Sequence, residues 1–323
     1  MCKPMDPLLA ALRACAEPTR LRILALAARG AFCVVELTEI LGQSQPRLSR
    51  HLKLLCDAGV LERVREGANV WFGLPPEAGL VLDLLARVPE DDPVLAADRR
   101  AAARVLAERA RIASENFRKQ GADWDEMRAL GLPAGEVEAA LVSMLPPGAL
   151  GRLLDIGTGT GRLLELLAPR VRAGLGVDAS RAMLALARAR LARPGLGHVS
   201  VRQADMYRLP LPQAAFDVVV LQMVLHYAED PGAAVAEAAR MVAPGGRLVV
   251  VDLAAHDRVA LAERLAHRWP GFPDDAMRAL FADALLRPGT PMAVPGPLEV
   301  RLWTATAPDA VSTLPVLITE DAR

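Results

Sequence analysis

Lysine is nearly absent from this chain: it stands only at Lys3, Lys53 and Lys119, three of the 38 basic residues, and arginine supplies the others. That skew reflects GC-rich coding rather than a particular chemistry. An excess of charge is missing too, because 38 basic residues meet 38 acidic ones, so affinity for nucleic acid has to come from a local basic patch. Cysteine is scarce, with four residues (Cys2, Cys15, Cys33, Cys56) scattered along the first 56 positions. None has a spacing that would hold zinc, and a reducing cytosol would keep them as thiols. No apolar run approaches the roughly 20 residues that span a bilayer, and Met1 to Asp6 carries no long apolar signal region. The expectation is a cytoplasmic protein with no membrane partner. No internal repeat is evident. Apolar residues, by contrast, are plentiful: 52% apolar against 24% charged over 323 residues describes a globular chain long enough for more than one core.

The run Leu153-Leu154-Asp155-Ile156-Gly157-Thr158-Gly159-Thr160-Gly161 reads as a buried strand that breaks into a glycine loop and then a helix. Glycine at alternate positions removes Cβ where backbone turns sharply against a ligand. A second apolar strand, 173–177, ends in Asp178, 23 residues after Asp155, where a carboxylate can accept from both hydroxyls of a ribose. A third strand ends in Asp205-Met206, a fourth is followed by Gln222 and then His226-Tyr227, and Pro244-Gly245-Gly246-Arg247 leads into a fifth. Strands alternating with helices predict an α/β class. The ordered series resembles the class I S-adenosylmethionine-dependent methyltransferases. That resemblance implies a Rossmann-like domain with a seven-stranded, mostly parallel sheet and helices on both faces. It also implies S-adenosylmethionine, or its product S-adenosylhomocysteine, as cofactor. By the same resemblance Asp155, Gly157, Thr158, Gly159 and Gly161 hold the methionine end, Asp178 with Ala179 the ribose, and Asp205 with Met206 the adenine, with Met183 and Gln222 also on the pocket. The spacing D-x-G-x-G-x-G lacks the extra glycine pair that clasps a pyrophosphate, which argues against a dinucleotide. His226 and Tyr227 lie just past a strand's C-terminal end, where open α/β sheets bind ligands. They are candidate acceptor-side catalytic groups, with simple packing as the alternative.

The first part of the chain has its own pattern. A helix pair over 8–30 is broken by Glu17-Pro18-Thr19-Arg20, a short amphipathic helix covers Val34 to Leu41, Gly42-Gln43 turns, and Ser44-Gln45-Pro46 opens a further helix. Leu48, Leu52 and Leu55 fall on its core side, leaving Ser44, Gln45, Arg47, Ser49, Arg50 and Lys53 outward. Two alternating strands flank the hairpin tip Glu66-Gly67-Ala68-Asn69. Over roughly residues 8 to 75 this resembles the ArsR-type winged helix-turn-helix repressors, mostly α with a β-hairpin wing. A solvated helical bundle would not bring the hairpin with it. The resemblance implies a second helix seated in the major groove, with Arg65 and Asn69 of the wing as further contacts. It also implies double-stranded operator DNA as partner and a homodimer through the N-terminal domain. Many such relatives bind metals through two cysteines separated by one residue before an acid and a leucine. Here the stretch is Cys33-Val34-Val35-Glu36-Leu37, so no metal site is expected, and a Cys15–Cys33 pair sensing arsenite or oxidants is the alternative.

Pro75-Pro76 stops the wing, Glu77 to Val88 reads as a short helix adding to a dimer interface, and 94–120 reads as a helix packing on one domain. The expected organisation is a DNA-binding and dimerisation domain over 1–88, a helical linker and lid over 89–145 that includes Trp124, a methyltransferase-like domain over 146–307, and a disordered tail over 308–323. Two functions stay open. One is a transcriptional regulator that senses the cofactor, and the other is a working small-molecule methyltransferase with an appended winged helix. No acceptor motif appears, neither an N-P-P-Y-type loop nor a cysteine cluster.

Overall fold

The computed structural model describes residues 6–66, 69–75, 78–89, 91–119, 131–193, 195–258, 265 and 267–309. The expected wing tip at Gly67-Ala68, the segment around Trp124 and most of the 308–323 tail lie outside the described residues.

Helix α1 (Asp6–Cys15) is followed by α2 (Pro18–Ala27), whose start is fixed by two residues. The Glu17 carboxylate accepts the Arg20 N–H at 2.8 Å, and Pro18 occupies the first turn, where its missing N–H has no intrahelical partner to lose. After β1 (Phe32–Cys33), α3 (Val34–Leu41) ends on Gly42 at φ 64°, a left-handed cap that turns the chain into α4 (Gln45–Asp57). Strands β2 (Glu62–Glu66) and β3 (Asn69–Gly73) form the hairpin, and β3 is central in the antiparallel order β1-β3-β2. Leu24, Leu37, Leu48, Leu52 and Leu55 bury together as the core. Helix α5 (Gly79–Leu85) follows, then α6 (Pro93–Lys119).

The second domain opens with α7 (Ala134–Met144). It continues through β4 (Arg152–Ile156), α8 (Arg162–Leu167), β5 (Ala173–Asp178), α9 (Arg181–Leu191), β6 (Val199–Gln203) and β7 (Phe216–Gln222). Next come α10 (Pro231–Met241), β8 (Val242–Leu253), α11 (Asp274–Asp283), β9 (Arg287–Pro288), β10 (Met292–Val294) and β11 (Val300–Thr306). The sheet runs β10-β11-β8-β7-β4-β5-β6. β4 to β8 are mutually parallel, and β11 is antiparallel to β8. Seven strands were expected; among the described residues the sheet has eight, because two-residue β9 pairs with the end of β11 at Ala305 and Thr306. Strand residues alternate between two cores. Leu153, Val218, Val220 and Val249 meet α7, α8 and α9 on one face, and Leu154, Val219, Leu221 and Val250 meet α10 and α11 on the other.

Helix α6 differs from expectation by packing on both domains, not one. Asp98 takes a bidentate Arg22 from α2 at 2.7 Å, Arg109 clamps Glu36 of α3 at 2.6 Å, and α6 also lies along α9. The wing completes the junction. Along β2 the residues alternate, with Arg63 and Arg65 exposed while Glu62 and Glu66 turn toward the second domain. Glu66, 5% exposed, takes Arg188 of α9, 8% exposed, at 2.6 and 2.7 Å. Its Oε1 also accepts the Gln203 N–H at 2.8 Å, and Glu62 meets Arg202 at 3.1 Å. The Arg188 guanidinium sits 4.2 Å from the centre of the Trp71 ring and Arg109 sits 4.8 Å from it, so cation–π attraction adds to the ion pair.

Removing one partner leaves a buried charge without its counterion, which costs about 3 to 5 kcal/mol. Arg188→Ala is expected to lose stability in that range by urea unfolding followed by circular dichroism. The double variant Arg188→Met, Glu66→Gln should recover most of it.

Candidate functional site

The glycine loop leaves β4 at Ile156 and is pinned beside β5, because the N–H groups of Gly157 and Thr158 both donate to the Val177 carbonyl, at 2.8 and 3.0 Å. Gly157, Gly159 and Gly161 have φ of 75°, 53° and 74°, backbone that side chains rarely adopt. A Cβ at Gly157 would also stand 2.5 Å from Val224 Cγ2 in the loop after β7, so this glycine lets two loops close over the strand ends. Asp155 lies beneath the loop, 2% exposed, and its Oδ2 accepts the Thr158 hydroxyl at 2.6 Å. Burial pushes its carboxyl up to about 7, opposed by the Thr158 bond and helped by the nearby Asp178 charge.

Asp178 ends β5 beside the glycine loop, half-buried. Its Oδ2 accepts the Gly159 N–H at 2.9 Å and its Oδ1 the Ser180 N–H at 2.8 Å. Each carboxylate oxygen has a second lone pair, so a vicinal diol can still be accepted. Burial raises this carboxyl too, and the two N–H bonds hold it down. Ala179 is exposed, and its carbonyl takes the Gln203 side-chain amide at 2.9 Å. Asp205 is exposed and its carboxylate accepts the Tyr207 N–H at 3.0 Å. Met206 and Gln222 are half-buried. Met183, 1% exposed, is interior to α9. The Asp178 and Asp205 carboxylates, which only accept, and the apolar Met206 thioether give a set that suits the hydroxyl and amine donors of an adenosine-bearing ligand without a phosphate. Met223 follows Gln222 with φ 51°, a strained conformation for a non-glycine residue at the ligand end of a parallel strand.

His226 is brought onto Asp252 at the end of β8, a pairing that the sequence did not reveal. Nδ1 lies 2.7 Å from Asp252 Oδ1 and both side chains are fully buried. The same carboxylate accepts N–H groups from Leu225, His226 and Leu253 at 3.0, 3.3 and 2.8 Å, so as an acceptor it takes the proton of His226 Nδ1. The Tyr227 and His267 rings pack against His226 at centroid distances of 4.2 and 4.3 Å. His256 joins this group, and burial together with the charges of His267 and Arg258 keeps its imidazolium disfavoured.

On α4, Ser44, Gln45, Arg47, Ser49, Arg50 and Lys53 all face solvent, as does Arg65 of β2. Ser44 stands at the cap of α4, but its hydroxyl makes no capping bond. Asn69 begins β3, and its side chain lies outside the described residues. Glu36, which follows Cys33 where metal-binding relatives place their acid, instead accepts the Cys33 N–H at 2.8 Å and holds Arg109. Burial pushes the thiols of Cys15, Cys33 and Cys56 up, which makes them poor nucleophiles. Among the described residues, no group of three or more His, Cys, Asp and Glu side chains is placed to hold a metal ion.

Asp155 yields a pH prediction. Its carboxyl ionises near 3.8 when exposed and near 7 in the fold, so the folded chain binds the extra proton and loses stability as pH rises between those values, with the penalty constant above them. In Asp155→Asn the urea midpoint should therefore fall less between pH 5 and pH 8 than in the parent chain.

The model of the bacterial regulatory proteins of the arsR family matches residues 17–63, and that of a methyltransferase domain matches residues 154–250. Similar curated proteins include the phosphatidylethanolamine N-methyltransferase of Cereibacter sphaeroides, 40% identical over 35% of this chain and 55% of the relative. The arsenite methyltransferase of Aquipseudomonas alcaligenes is 37% identical over 34% of each. The chain thus spans about half the length, or less, of the curated relatives it matches. Among solved structures, a methyltransferase of Haloferax volcanii in complex with the Trm112 activator aligns with a TM-score of 0.51 at 21% identity, over 61% of this chain and 97% of its own, which concerns the fold alone. An arsR-family helix-turn-helix over residues 17–63 and a methyltransferase domain over residues 154–250 are thus joined in one chain.

Proposed function

We propose that this protein is a DNA-binding transcriptional regulator whose C-terminal domain binds S-adenosylmethionine or S-adenosylhomocysteine and passes occupancy to the wing. The observation that carries the reading is the double engagement of Glu66. This wing residue pairs with Arg188 and accepts the Gln203 N–H, while the Gln203 side chain holds the carbonyl of Ala179, next to Asp178. A ligand that shifts the ribose corner therefore acts on groups bonded to the wing. α4 supplies the groove-reading face, with Gln45, Arg47 and Arg50 reaching base edges or phosphates. Leu8, Leu9 and Leu12 leave an apolar face exposed on α1, which a second copy would cover to make a two-fold dimer.

A second reading rests on the His226–Asp252 pair. S-adenosylmethionine, when bound, supplies an electrophilic methyl group, and His226 Nε2 would hold the proton that a small-molecule acceptor releases on methylation. Labelled cofactor with cell extract separates the readings. A methylated product lost in His226→Asn, with cofactor affinity kept, supports turnover, and its absence leaves the sensor.

Calorimetry should give binding of both cofactor forms and none of NAD, with Asp178→Ala costing roughly 1 to 3 kcal/mol. Leu8→Glu with Leu12→Glu should convert a sedimenting dimer to monomer and abolish binding to a palindrome with half-sites about one helical turn apart. On a duplex selected from a random pool, saturating S-adenosylhomocysteine should shift operator affinity about 5- to 150-fold. The shift should vanish in Asp178→Ala and shrink in Glu66→Gln. Identical curves in all cases would remove the sensor reading.

A further inference from the structure

A cavity of about 730 Å³ lies between the two domains, and neither the cofactor nor the DNA contacts use it. One side is the exit of β3 with α5, and the other is the N-terminal edge of the sheet, where Arg152 begins β4, Arg172 precedes β5 and His198 precedes β6. The glycine loop and Asp178 stand at the opposite, C-terminal ends of the same strands. This volume falls in the range of small-molecule sites.

The lining has a definite chemistry. Leu74, Leu82, Leu211 and Phe216 give it apolar walls. Among the described residues its charged groups are Arg152, Arg172 and Arg202 with the carboxylate of Glu62, three positive against one negative, which leaves two positive charges in excess. Arg202 takes Glu62 at 3.1 Å. The other two arginines have no such relief: the Arg152 guanidinium lies over the Phe216 ring at 5.5 Å, and neither it nor Arg172 makes an ion pair among the described residues. Like-charged guanidinium groups on one wall repel one another, and a bound anion relieves that repulsion while accepting paired N–H bonds.

We infer that this cavity is a second ligand site, for an organic anion with an apolar body such as an aryl or alkyl carboxylate or sulfonate. The anionic head meets Arg172 and Arg152, and the body buries against Leu82, Leu211 and Phe216. The occupant touches both domains beside the Glu62–Arg202 contact, so it reports on the junction without entering the cofactor pocket. This inference goes beyond the regulator reading and stands without it.

The probe is 1-anilinonaphthalene-8-sulfonate, titrated by fluorescence into the full chain. Saturable binding at one site per chain is expected, with competition by decanoate, little by decanol and none by S-adenosylhomocysteine. Arg172→Gln and Arg152→Gln should each weaken the probe about tenfold or more, the loss of one charge-assisted bond. Arg172 is exposed, so its variant should keep the parent circular dichroism spectrum. Three results would overturn the site: probe affinity unchanged in the folded variants, decanol competing as well as decanoate, or displacement by S-adenosylhomocysteine. Failure of the cofactor to bind at all would leave this result standing, so the two proposals fail separately.

Discussion

Neither Glu66 nor Arg188 can be buried alone. At 5% and 8% exposure both have given up most of their water, and a desolvated charge is tolerated only beside its partner; Arg188 Nε is itself buried without a hydrogen bond, so the ion pair has to carry that cost. Burial pulls the guanidinium down from its ordinary range and Glu66 opposes that pull. The wing tip is therefore held on α9 and β6, and the register of one domain on the other follows. Trp71 and Arg109 fill the space around the pair, and Glu36 and Asp98 tie α6 to the same assembly.

From that contact the rest of the junction acquires its logic. α9 starts beside Asp178, where Ser180 caps it by accepting the Met183 N–H, and reaches Arg188 two turns later. β6 ends in Gln203, whose backbone meets the wing and whose side chain meets Ala179. Two short elements thus have one end at the candidate ligand site and the other at the helix-turn-helix domain. The wing divides its faces accordingly, with Glu62 and Glu66 turned inward and Arg63 and Arg65 left to solvent.

The two ends of the parallel sheet present different chemistry. At the C-terminal ends stand acids and glycines, with Asp155, Asp178 and Asp205 around the Gly157–Gly161 loop, and the buried His226–Asp252 pair beside them. At the N-terminal ends stand arginines, Arg152 and Arg172, facing an apolar hollow closed by the first domain. One end is acidic and the other basic.

Much of this was legible from short-range pattern. The glycine loop, the acid at each strand end and the capped helix pair are local signals, because turn conformation and periodicity depend on residues within a few positions of one another. Residues 8–75 and the order of strands β4 to β8 follow from them. Two-residue β9 carries no periodicity, and its pairing needs β11 already in place. Arg188 left a trace, since it falls on the buried stripe with Leu184, Ala187 and Leu191, a position where an arginine demands a partner. That partner is 122 positions away in the chain, as Asp252 is 26 away from His226. The sequence by itself determined which elements form and which ends of the strands carry acids and glycines, because these are properties of neighbouring residues. Only the tertiary structure decided that the wing's acid docks on the second domain, that a histidine meets a carboxylate and that arginines line a hollow, because desolvation acts on groups brought together by packing rather than by sequence.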